Sequence, residues 1–442
     1  MLAVAPLFLF PDCDGTESGV ALLWLSLSAA VFTLLGPSRR EGEMLHQARR
    51  RTLVSIAVDP MFWAMAAVVA YAATGMCNEG AKLAYDADAG VWSMPPAPVH
   101  WLPSSRNGAG FTPFCISVAA MVLAAGCRNA LGKSARCAFL TMVSLFSGGA
   151  ALRALVQARA DAAALFAAAP GATPPASVAF GLAAIASIVA LAGAFERRWN
   201  ALFLLYAFSA GACAAGTIVL APPLVASVFA IAILFVAIVS ASYVWIACDV
   251  SDMFKYWAGV LMATLLCSAM VVFALPADAL REKLAAVAGF GFFPEGFAAL
   301  RARLGEIANQ VWRGDMWLGK GIGSFGTEVR LASTPEDWAM WGVATPSSAC
   351  NGWRELLAER GLVGIAAFAI PPVFVAVSLF VKFVSGIAKR PYYPLLALSV
   401  VAAALAYALM LVDCPLSSAA VYPALVAYLT LAPAAFSGRR RN

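Results

Sequence analysis

The chain has 442 residues, of which 62% are hydrophobic and 12% charged, about half the charged share of an ordinary soluble domain. That composition excludes a water-soluble globule. The net charge of +6 is carried by basic residues in short segments between apolar runs, so it reads as membrane topology and excludes a nucleic-acid surface as its cause.

The apolar runs are roughly 18 to 24 residues long, the length a helix needs to cross a hydrocarbon core of ~30 Å. They fall near 19–36, 53–74, 111–127, 137–152, 176–195, 200–220, 224–247, 256–275, 361–381, 393–412 and 416–435. The predicted fold is therefore all-α, a polytopic helical membrane protein of about eleven or twelve transmembrane helices with one large extracytoplasmic loop. The first ten residues, MLAVAPLFLF, are too short to cross alone and carry no basic n-region or cleavage site. They read as a half-helix or as the remnant of a span that starts upstream.

Lys and Arg concentrate in 38–51, 128–136, 196–200, Lys255, 381–390 and the tail GRRRN, whereas the alternate short loops hold only Lys82, Arg106, Arg153 and Arg159. By the positive-inside rule the first set is cytoplasmic. Segments 75–110, 153–175 and 276–360 are then extracytoplasmic. This divides the chain into transmembrane helices over 1–275, an outer loop with amphipathic helices over 276–360, and C-terminal transmembrane helices over 361–442. Most of the ten cysteines lie in or beside spans and suggest no disulfide framework, although Cys13, Cys77, Cys350 and Cys414 share the outer side and are able to pair.

Within the outer loop, Phe297, Leu300, Leu304, Ile307 and Val311 recur at steps of three and four, which predicts an amphipathic helix over 295–312. Arg301 and Arg303 fall roughly 80° to either side of that stripe. Next, in RGDMWLGKGIGSFG, Gly321, Gly323 and Gly326 satisfy G-x-G-x-x-G. A dinucleotide fold is rejected because no strand precedes the motif and no βαβ unit surrounds it. Two readings stay open: a flexible glycine turn, or a cradle in which backbone N–H groups and Lys320 hold a diphosphate. Asn351 is a good N-cap for a short helix over 352–360 that leads into the next span. Its Arg354, Glu355, Glu359 and Arg360 form either a solvated, ion-paired face or the surround of a helix N-terminus that meets an anion. The spans themselves hold almost no ionisable residue away from their ends, which argues against an ion-coupled transporter.

In order, GKGIGSF at 319–325, CNGWRELLAERGLVG at 350–364 and VDCPLSSAA at 412–420 resemble the O-antigen ligase and O-antigen polymerase superfamily, membrane glycosyltransferases of the GT-C type. The family's second block is His-Asn, nine residues, then Gly-x-x-Gly, and Asn351, Gly361 and Gly364 fit that spacing; its D-x-P-L block is matched by Asp413, Pro415 and Leu416. The resemblance implies transfer of a glycan from an undecaprenyl-diphosphate donor to lipid A core, a growing glycan chain or a protein acceptor, without cofactor or metal. It also implies a bacterial inner-membrane protein whose 276–360 loop is periplasmic. Arg301 or Arg303 takes roughly the place of a family arginine, so Arg301, Arg303, Lys320, Gly321, Gly323 and Arg354 are expected around the donor phosphates and Asn351 is expected to orient the site. Two departures fall on that site. Cys350 stands at the family histidine, and a thiol is a poorer proton acceptor than an imidazole near neutral pH. A family Ser-Arg is replaced by APPLV at 221–225, leaving His100 as the only imidazole on the outer side. A member that has lost catalysis and binds lipid-linked glycan or a partner, or a transporter of lipid-linked sugars, are the competing readings.

Overall fold

A computed structural model describes residues 16–35, 43–81, 83–86, 88, 91–130, 133–160, 175–196, 200–247, 250–288, 297–337, 348–384, 393–412 and 421–431. The N-terminal decapeptide, Cys13, Cys414 and the Asp413–Leu416 block lie outside these residues. The helices are α1 (Thr16–Leu35), α2 (Leu45–Val58), α3 (Pro60–Cys77), α4 (Phe111–Ala125), α5 (Lys133–Ala160), α6 (Pro175–Glu196), α7 (Asn200–Leu220), α8 (Pro223–Ala247), α9 (Val250–Ala274), α10 (Ala277–Ala288), α11 (Phe297–Gly314), α12 (Phe325–Ala332), α13 (Gly352–Val384), α14 (Tyr393–Leu409) and α15 (Tyr422–Leu431). Among the described residues eight helices are long and apolar enough to cross a membrane, and three shorter apolar helices accompany them. The chain is an all-α, polytopic, membrane-embedded protein.

The bundle is organised around α6, whose alanine-rich sequence is apolar on every face and almost wholly buried. It packs on α5, α7, α8 and α14. Small residues set the spacing, as where Gly181 lies so close to the Phe229 ring of α8 that an added Cβ would strike it. On the periphery, Ile231, Leu234, Leu261, Leu265, Val377 and Phe380 are exposed, the arrangement expected where the outer solvent is lipid.

Two boundaries differ from the sequence expectation. The run 53–74 is two helices, because Asp59 precedes Pro60 and caps α3, its carboxylate accepting the Met61 N–H at 3.1 Å. That carboxylate also pairs with Arg128 at 2.9 Å, at the end of the bundle opposite to the 276–360 segment. Helix α5 extends into the first part of the expected outer loop, to Ala160, where Arg159 donates to the Phe273 carbonyl at 2.7 Å and lies over the Phe273 ring. As expected, the short 352–360 helix leads into the span that follows, the two joined as α13 across a break at Gly361. Among the described residues no disulfide links Cys77 and Cys350.

The other end of the bundle carries a cap. Two short strands, β1 (Glu79–Gly80) and β4 (Ser105–Arg106), pair in parallel, and Ile322 bridges to Ser105; β2 (Ala84–Asp86) and β3 (Val91–Ser93) form a hairpin. The predicted amphipathic helix is present as α11. Its Phe297, Leu304, Ile307 and Val311 are buried, and all but Phe297 join Phe325, Val329, Ala349 and Ala358 in a small core separate from that of the bundle.

Candidate functional site

The site is built around the break in α13. Gly361 has φ 59° and ψ −162°, a conformation essentially restricted to glycine. The break exposes backbone groups on both sides, and the glycine loop before α12 fills it. Lys320 and Gly321 N–H donate to the Ala358 and Glu359 carbonyls, both at 2.9 Å, while Leu362 and Val363 N–H donate to the Met316 and Trp317 carbonyls at 3.0 and 3.1 Å. The Glu359 carboxylate accepts the N–H groups of Gly323 and of Phe325, the latter at 3.1 Å. Gly319 stands where a Cβ would meet the Glu359 and Arg360 backbone.

This settles the use of the G-x-G-x-x-G loop. Gly319 N–H donates to Asp315, Ile322 N–H to Ser104 and Ser324 N–H to Gly321. With those of Lys320, Gly321 and Phe325, the N–H groups of 319 to 322, 324 and 325 are therefore occupied by protein acceptors. The loop offers no open backbone cradle for a diphosphate. The positive φ values of Gly321 and Gly323, 108° and 79°, accompany close packing against Ser104 and Ala109.

At the N-terminal end of 352–360, Asn351 caps the helix as expected, its side-chain oxygen accepting the Arg354 N–H at 3.2 Å. Glu355 turns back to accept from Ser348 Oγ at 2.7 Å and Ala349 N at 3.0 Å. Trp353 ties this end to α14, donating from its backbone to Met410 and from its ring to Tyr407, on which it stacks. The Arg354 guanidinium lies directly against Gly305 of α11, where any Cβ would exclude it. One turn earlier on α11, Arg301 donates to the Leu411 carbonyl at the end of α14. Arg301, Arg354 and the N-terminus of 352–360 thus converge. Cys350 sits beside them with φ 48°, a left-handed conformation uncommon for a residue with a side chain, and packs on the cap core.

Arg303 points elsewhere. Its guanidinium makes a forked pair with Asp337 at 2.8 and 2.9 Å and reaches Glu306 at 3.2 Å. The Asp337 carboxyl is held well below the usual carboxylate range by that guanidinium and by the Thr334 N–H, and the Arg303 pKa is raised in turn by Asp337 and Glu306. Lys320 is also separate. Its N–H contact places it at Ala358, about 12 Å along the helix axis from Cys350. There it lines a cavity of about 290 Å³ with His100, Arg106, Asp315 and Glu328. Burial raises the Glu328 pKa, opposed by Lys320 and Arg106.

The residues expected at one site are therefore divided. Cys350, Asn351, Arg301 and Arg354 come together, whereas Lys320 and His100 share the opposite end of the short helix and Arg303 is held in the cap. Asp337, Arg106 and Glu328 were missed by sequence reasoning. For Asp337 a local signal existed, since Thr334-x-x-Asp337 makes a reciprocal turn with Thr334 N–H donating at 2.8 Å and Asp337 N–H at 3.3 Å. Compared with known proteins, the chain matches no family model and no curated relative.

Proposed function

We propose that the protein is a membrane glycosyltransferase of the O-antigen ligase and polymerase kind, moving a glycan from an undecaprenyl-diphosphate donor to an acceptor hydroxyl at the outer leaflet of a bacterial inner membrane. The supporting observation is the convergence of Arg301 and Arg354 on the N-terminus of the 352–360 helix. Neither is in an ion pair among the described residues, in contrast to Arg303. In the transfer, the acceptor oxygen bonds to the anomeric carbon as the carbon–oxygen bond to the diphosphate breaks. The negative charge that develops on the leaving diphosphate is what two guanidinium groups and a helix N-terminus would stabilise. The acceptor proton passes to a base, and Cys350 occupies the position from which that base would act.

The test is a surface-glycan gel from a deletion strain complemented with variants. Missing attachment to lipid identifies a ligase and shortened chains a polymerase. Arg301→Ala and Arg354→Ala are expected to lower transfer more than tenfold at normal membrane levels, and Cys350→His to raise it. Wild-type glycan in the deletion strain removes the reading. A second reading, a member that binds lipid-linked glycan or a partner without transfer, is favoured by the packing of Cys350 into the cap core. Inertness of every form, including Cys350→His, would select it.

A further inference from the structure

We propose a second anion site inside the bundle, where the guanidinium of Arg360 and the hydroxyl of Tyr422 hold a phosphoryl oxyanion. Arg360 is 6% exposed and Tyr422 1% exposed. The Nε of Arg360 and the hydroxyl of Tyr422 have no hydrogen-bond partner among the described residues, and no ion pair there includes Arg360. A cation and a hydroxyl buried in this way are strongly unfavourable unless an acceptor joins them.

The two groups share one locus. The Arg360 guanidinium lies 4.9 Å from the centroid of the Phe368 ring, and the same ring meets Tyr422 edge-to-face at 5.3 Å. Gly364, between Arg360 and Phe368 on α13, is where a Cβ would collide with the Arg360 side chain and approach the Tyr71 hydroxyl at 3.0 Å. Its missing side chain lets the arginine run along the helix into the bundle. Around them, Tyr407 donates to the Phe368 carbonyl at 2.6 Å and Tyr71 to the Arg360 carbonyl at 3.4 Å; the neighbouring Glu359 carboxylate is favoured in its charged form by Arg360 but makes no hydrogen bond to it among the described residues, accepting the Phe325 N–H at 3.1 Å.

What remains is a set of donors, which selects an acceptor-rich anion. The planar guanidinium fork matches phosphoryl oxygens, and the tyrosine hydroxyl adds a third donor. The site also lies just below the loop that carries Trp317, an indole 68% exposed, the residue type that collects at the level of lipid head groups. It is distinct from the Arg301 and Arg354 cluster, because Arg360 is six residues beyond Arg354, about 9 Å along the helix and about 240° around it. The inference does not depend on glycosyl transfer. A lipid head group and soluble phosphate offer the same oxygens, so the source is decided by experiment.

Thermal unfolding of the purified full-length protein in neutral detergent would be followed by tryptophan fluorescence during titration with phosphatidic acid, with diacylglycerol as the phosphate-free lipid, and with sodium pyrophosphate. A saturable rise in melting temperature with phosphatidic acid alone identifies a lipid phosphate; a rise with pyrophosphate as well identifies a site open to soluble anions. Diacylglycerol is expected to do nothing. Arg360→Gln should abolish the rise, and Tyr422→Phe should weaken the apparent affinity roughly tenfold, the value of one hydrogen bond to a charged group. Should Arg360→Gln fail to fold, Tyr422→Phe decides the matter, since it removes one buried oxygen without altering ring shape. No response of the wild type to either phosphate probe, or equal responses in wild type and Tyr422→Phe, would overturn the proposal.

Discussion

Replacing Gly361 with alanine tests whether the break in α13 holds the cap to the bundle. The φ of 59° and ψ of −162° cost a residue with a side chain about 1 to 3 kcal/mol. The new Cβ would also strike the Trp317 carbonyl. Moving that strand of the loop endangers the Leu362 to Met316 and Val363 to Trp317 hydrogen bonds, each contributing about 1 kcal/mol. The sum is roughly 3 to 5 kcal/mol, a large fraction of a typical folding free energy. Two other glycines separate the terms. Gly108 has φ 73° and open space around it, so Gly108→Ala carries strain alone; Gly314 has no positive φ and an added Cβ meets only the Lys320 side chain at 3.4 Å. Melting curves of the detergent-purified variants at one scan rate should rank Gly361→Ala lowest, Gly108→Ala slightly below wild type and Gly314→Ala near wild type. A Gly361→Ala protein that melts with Gly314→Ala would refute the argument that the break is structural.

Arg303→Ala and Asp337→Asn should each destabilise the cap by roughly 1 to 2 kcal/mol, with the double variant little worse, as a denaturation-based double-mutant cycle would show. Because the folded Asp337 pKa is depressed, this contribution is present above the ordinary carboxyl range and is lost as pH falls through the lower folded value, so it should be flat between pH 8 and pH 5. Lys283 donates to the Ile218, Val219 and Ala221 carbonyls at 2.9, 2.6 and 3.1 Å, and burial lowers its pKa to about 8. The unfolded chain then binds its proton more tightly from about pH 8 to its ordinary value, so stability should rise with pH in that window, and the rise should be missing in Lys283→Met melts. Alkaline phosphatase fusions should be inactive after Arg50 and active after Glu336; the reverse would invert the assigned orientation.

The features legible in the sequence were those with local periodicity or chemistry. The stripe from Phe297 to Val311 became the buried face of α11, and Asn351 became a cap because both depend on neighbours within one or two turns. Asp59-Pro60 carried an equally local signal, but a continuous apolar run across it suggested one span where the chain forms two helices. What stayed hidden was non-local. Arg303 finds Asp337, Glu359 finds Phe325, and Arg106 donates to the Lys320 carbonyl at 3.3 Å across 214 residues. A flank position on a helical wheel says which way a guanidinium leaves the helix, and nothing about which acceptor arrives from elsewhere.

The same distinction bears on how the three motif blocks should be weighed. Gly319 and Gly361 are required because the loop and the broken helix pass through each other's van der Waals space, and Gly364 because Arg360 lies over it. The spacing from Asn351 to Gly361 is the length of one capped helix that ends at that break. These positions are demanded by this chain's own architecture whether or not any bond is ever broken there, so the glycines and the asparagine carry no information about chemistry. The proposed transfer rests instead on Arg301, Arg354 and the side chain at position 350, which also make packing or backbone contacts of their own. Of these, Cys350 is the most informative to exchange, because its φ of 48° is a conformation histidine tolerates better than most residues with a side chain. Cys350→His would therefore change the proton chemistry with little added backbone strain. A gain in glycan transfer from that single change would tie the reaction to this end of the helix, and loss of the folded protein would show that packing into the cap core governs the position.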